Sequence, residues 1–144
     1  MATRQEFERL LNLNDTELER EVVGAVSGNN QLMSLAMPQA IPAMSVDDYV
    51  RNASYGELRN SVLEYIKLDF EKTQRDLYEL ICVKLDYCKA KKKRADLIAL
   101  LEAIVKHYVA LAVVAAHPHC WILAPVAVYL AKKYLDKLCK CNEK

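Results

Sequence analysis

Thiols, imidazoles and clustered charges are the groups through which this 144-residue chain could do chemistry. Two clusters catch the eye, His117-Pro118-His119-Cys120 and Cys139-Lys140-Cys141. A zinc ion needs its sulfur and nitrogen ligands within about 2.0–2.3 Å. A helix between the two clusters separates them by about 28 Å at 1.5 Å per residue, so one ion cannot use both. Topology offers a different grouping. If three long helices run up, down and up, the end of the first, the start of the second and the end of the third share one pole. That brings Cys88, Cys139 and Cys141 together, with Cys82 about 9 Å up its helix. These thiols are weak metal candidates. They could also form a disulfide, and neighbouring lysines would lower thiol pKa values and favour reactivity, but they read chiefly as plain packing or surface thiols. No pair has C-x₂-C spacing, so no metal or other cofactor is expected.

Five cysteines are an odd number, and the opening residues MATRQEFERL are polar and charged rather than those of a secretory signal. The thiols are therefore expected to be reduced and the compartment cytoplasmic.

For nucleophilic catalysis the only pairing is Cys120 beside His119. Neighbours in a turn seldom face each other, and no orienting acid is near in sequence. The motifs H-E-x-x-H, G-x-S-x-G, GxGxxG and Walker A are all missing from the sequence. No catalytic residue, enzymatic activity or small-molecule substrate is expected. His107 lies on an apolar helix face and reads as a hydrogen-bonded core residue.

Lys89, Lys91, Lys92, Lys93 and Arg94 place five bases in six residues. Such a patch reads as a solvated turn, or as a contact for anionic lipid, an acidic protein or nucleic acid. Only Tyr87 is near to interleave, which makes nucleic acid the weaker reading. Net charge is +1, but residues 1–50 hold three Arg against eight acids, an acidic head on a basic body. That asymmetry suits intramolecular docking or a charged partner.

The elements that must hold these groups are helical. Three glycines and four prolines argue against turn-rich β architectures, and no Gly or Pro occurs between Gly56 and Pro118. Capping spacings at Thr3/Glu6, Asn14/Glu17, Ser45/Asp48 and Ser54/Glu57 mark helix starts. Short helices are expected at 4–11 and 15–27, with Gly28 as a stop, and another opens at Ser45. Residues 28–45 are read as an apolar loop, since Pro38 and Pro42 forbid a regular helix there. Longer helices follow at about 55–90, 95–116 and 121–139, with Pro125 as a kink or a first turn.

The fold expected is all-α: an antiparallel bundle of five or six helices with one long central helix (55–90) and an apolar C-terminal hairpin. It forms a single domain, 1–144, in which 1–45 supplies short helices and the Met/Pro-rich loop and 46–144 the long helices.

Residues 107–131 contain no Asp, Glu, Lys or Arg. This reaches the length of a membrane span, yet Pro118 and Pro125 divide it into arms of about half a bilayer. A helix apolar on every side needs neighbours on every side, and so small a bundle has few enclosed positions. Some of this surface is therefore expected to meet something else. The chain reads as a non-enzymatic helical interaction or oligomerisation module. Its contacts would be Val109, Val113, Trp121, Ile122 and Val128, with Met33 and Met37 of the loop, and its partner a second copy or another protein. Two alternatives stand beside this: peripheral or integral membrane association through 107–131, and nucleic-acid binding through 89–94.

Overall fold

Side-chain oxygens close the helix starts that the spacings marked. Thr3 accepts from the Glu6 amide at 3.2 Å and Ser45 from Asp48 at 3.1 Å. Asn14 with Glu17, and Ser54 with Glu57, form reciprocal pairs in which each side chain accepts from the other's backbone N–H. In the computed structural model, which describes residues 3–38, 44–115 and 118–141, every regular element is helical. The order is α1 (Arg4–Leu11), α2 (Asp15–Ser27), α3 (Asn30–Ala36), α4 (Val46–Asn52), α5 (Tyr55–Leu77), α6 (Tyr87–Ala90), α7 (Arg94–Ala115), α8 (Ala124–Leu130) and α9 (Asp136–Cys139). Wider π-helical turns carry α5 on through Tyr78–Lys84 and join α8 to α9 through Ala131–Leu135. A 3₁₀ turn, Cys120–Ile122, precedes α8.

Counting each continuous rod once gives eight helices among the described residues rather than five or six. The two additions have local causes. Residues 30–36 lie before Pro38, so neither proline interrupts them; Asn29 caps them at the Leu32 amide, and Leu32, Met33 and Ala36 share a buried face. The part of the expected loop that lies at 39–43, Pro42 included, falls outside the described residues. The second addition is α6. The first long helix ends at Lys84 rather than near 90, because Asp86 takes a left-handed conformation, φ 52° and ψ 63°. Pro125 proves to be a first-turn proline, where its missing N–H has no helical partner to lose.

The centre also differs from expectation. The long helix α5 keeps an exposed polar side, whereas every residue of α8 except Pro125 is buried. Helices α1, α2 and α7 all pack on α8. Val126, Val128 and Leu130 are fully enclosed, each contributing about 1.5–3 kcal/mol of transfer free energy. The acidic head docks on the basic body within the chain. Arg59 of α5 donates from Nε and Nη2 to Glu19 of α2 at 2.8 and 3.2 Å, and Lys133 lies 3.4 Å from Asp15.

Candidate functional site

The apolar run splits into two fates. Trp121 and Val128 are fully buried and Ile122 is half-buried, so the α8 side is enclosed by the chain's own helices. The end of α7 is not. Val109 and Leu111 are 36% and 38% exposed, and Val113 and Val114 are 80% and 85% exposed. Successive residues turn by about 100°, so Val109, Ala110, Leu111, Val113 and Val114 cover most of the helix circumference. Earlier in the same helix Ile98, Leu101, Ile104 and Tyr108 are buried. Over Arg94–Val114 α7 is long and apolar enough to cross a membrane by length and composition, with mean hydropathy 2.0. Cover thins along its last two described turns, where Ala112 is still half-buried and Val113 and Val114 are mostly bare. Lys106 and His107 are exposed just before this end, so His107 is a surface residue rather than the expected core histidine. His117 lies outside the described residues.

A buried polar knot anchors the base of that projecting end. Asp69 is 7% exposed on the otherwise apolar face of α5. Its Oδ1 hydrogen-bonds His119 Nδ1 at 2.9 Å, and its Oδ2 accepts from the Cys120 amide and thiol, both at 3.1 Å. One turn on, Thr73 donates to the Asp69 carbonyl at 2.7 Å and accepts from Trp121 Nε1 at 3.4 Å. The Tyr108 ring meets His119 edge-on at 5.5 Å. Together these contacts clamp the turn after α7 onto the middle of α5.

The acid missing near His119 in sequence is thus supplied from about fifty residues away, but the geometry is not that of an activated thiol. The Cys120 thiol donates a hydrogen bond to the carboxylate and keeps its proton. It is fully buried, and burial, then the charge of Asp69, push its pKa well above the usual thiol value. It serves as a neutral hydrogen-bond donor. Asp69, Thr73 and Tyr108 were not among the expected site residues. The available signal was a carboxylate and a hydroxyl, at i and i+4, on the stripe that runs Ile66, Phe70, Leu77. Beside the knot, a cleft of about 820 Å³ lies between α3 and α5, lined by Leu35, Met37, Tyr65, Leu68 and Pro118 among others. Met37 is half-buried at its edge, while Met33 is fully buried in the core.

Away from this knot, Cys82, Cys88, Cys139 and Cys141 come together as grouped from the sequence, but not as free thiols. Cys82 is bonded to Cys139 and Cys88 to Cys141, with Cα–Cα 5.2 Å in each. The expectation of reduced thiols fails for these four; Cys120 alone is free. Sulfurs tied to one another cannot ligate, and no group of three or more His, Cys, Asp or Glu among the described residues could hold a metal ion.

The basic patch divides its labour. Lys91 pairs with Asp136 at 2.7 Å, beside a Tyr87 hydroxyl bond to the same carboxylate at 3.1 Å. Arg94 donates to Asn12 at 3.3 Å. Lys89, Lys92 and Lys93 stand exposed. No protein-family model, curated protein or solved structure matches this chain.

Proposed function

We propose that this protein is a non-enzymatic helical interaction module that docks through the projecting end of α7. Its framework, on this reading, is an antiparallel bundle in which the rods 55–84 and 124–139 run alongside each other and α7 runs back between their poles. The bonds Cys82–Cys139 near one end and Asp69–His119 midway along the first rod support that arrangement. The observation that carries the function is the exposure of Val113 and Val114 on a helix end that is apolar nearly all round. Exposed valines in such a cluster lower the free energy when covered, by about 25 cal/mol per Å² of apolar area removed from water. A second copy of the chain offers the same end for mutual burial, and so gives a self-complementary contact.

Light scattering of the full chain across concentration tests this. Association is expected for the natural sequence and monomers for the double variant Val113→Asp, Val114→Asp. A natural sequence that stays monomeric, and retains no partner when used as bait, contradicts it.

A second reading has its own observation. A flat protein partner covers one face of a helix, whereas a bilayer surrounds it. The segment from Val109 to Ala115 is about 10 Å long, short of the roughly 15 Å of one hydrocarbon leaflet, so it would seat shallowly with Lys106 near the headgroups. Flotation with anionic vesicles separates the two readings, since only a lipid-seeking end carries the protein upward. Four paired cysteines support an oxidising compartment for either.

A further inference from the structure

The cysteine pole concentrates the unusual features of this molecule. The two residues other than glycine with positive φ among those described, Asp86 at 52° and Lys140 at 54°, lie within the two segments that the disulfides join. Asp86 separates Cys82 from Cys88, and Lys140 separates Cys139 from Cys141. Both π-helical stretches run into the same segments, and Cys82 lies inside the first. All four bonded cysteines are only half-buried. The two bonds are close neighbours, for Cys88 Sγ lies 3.6 Å from the Cys139 carbonyl oxygen. A disulfide that serves only as a staple gains from burial and relaxed backbone. Partly exposed bonds beside strained turns are the exchangeable kind.

We propose that this pole is a thiol–disulfide exchange site for an external dithiol. A thiolate of the dithiol attacks Cys82 Sγ, and a mixed disulfide forms while the bond's electron pair departs on Cys139 Sγ. The second external thiolate attacks the external sulfur of that mixed disulfide, closing the external disulfide and releasing Cys82 as thiolate. Two electrons pass to the protein, and the two protons of the dithiol go to the freed sulfurs or to solvent. The Cys139 thiolate then displaces Cys141 from Cys88, a rearrangement with no net electron change that moves the free thiol to Cys141. Exposed Lys137 and Lys140 flank Cys139 in sequence and favour its thiolate as leaving group. Cys120 takes no part, being enclosed against Asp69 at the middle of α5.

The test treats the folded full chain with dithiothreitol and counts thiols by maleimide labelling, while emission from Trp121, the single tryptophan, follows the fold. Four newly labelled cysteines are expected at least about tenfold faster than any loss of the buried-tryptophan emission, because opening does not wait for unfolding. Thiols that appear only as the emission changes overturn the proposal. The variant Cys82→Ser tests the transfer between bonds, by alkylation and peptide mapping. Alkylation at both Cys139 and Cys141 is expected, and alkylation at Cys139 alone overturns it.

Discussion

Asp69 shows how one side chain can hold a turn in place. It satisfies an amide, a thiol and an imidazole at once, all from residues 119 and 120. Asp69→Ala leaves those groups without their acceptor in a buried place, and a loss of about 2–4 kcal/mol is expected in denaturant unfolding. Tyr108 presents the reverse case, since its buried hydroxyl has no partner among the described residues. Tyr108→Phe is therefore expected to raise stability by about 1 kcal/mol in the same measurement. Cys120 adds a pH dependence. Its folded pKa is raised, so the unfolded chain loses the thiol proton first as pH increases. Stability is whole below the ordinary thiol value near 9 and declines above it. Thermal midpoints that stay level from pH 6 to 8 and fall beyond pH 9 in the natural sequence, but fall less in Cys120→Ala, are the expected outcome. His119 and Cys120 stood out in the sequence as neighbours, but their true partner did not. Contacts fifty residues apart leave no local spacing to read; the trace they did leave was a carboxylate on an apolar stripe.

At the scale of elements, local rules were legible and enclosure was not. Caps at Asn14 and Ser54, and the first-turn Pro125, follow from chemistry within one turn of helix. The second half of α7 and the whole of α8 look equally apolar in sequence, yet α8 is enclosed and the end of α7 is bare. The difference lies in α1 and α2, which pack on α8 from far along the chain. No periodicity within 107–131 could reveal where they sit. Replacing Val113 and Val114 by Asp is accordingly expected to change stability by less than about 0.5 kcal/mol while abolishing association, since surface positions carry little folding energy. Lys140→Gly is expected to stabilise by about 1 kcal/mol, because only glycine takes the left-handed position after α9 without a Cβ penalty.

Across the whole molecule, two regions divide the work. One is bonded by two disulfides that close loops of sequence separation 57 and 53. By chain-entropy arithmetic the first closure contributes about 4 kcal/mol, and the second less, because the first already brings its partners into a short ring. The reduced chain is expected to remain folded but to unfold at lower denaturant. Reasoning from helix lengths grouped the four cysteines, and the two bonds join those same residues. Their oxidation could not be, since an odd count and a polar opening say nothing about geometry. The other is the bare end of α7, and the proposed function rests there. Sedimentation of the full chain with and without a mild non-ionic detergent tests it most directly. Association without detergent, reverting to a single chain bound to detergent when it is added, is the expected result. A lone chain that sediments identically in both, with no detergent bound, would contradict it.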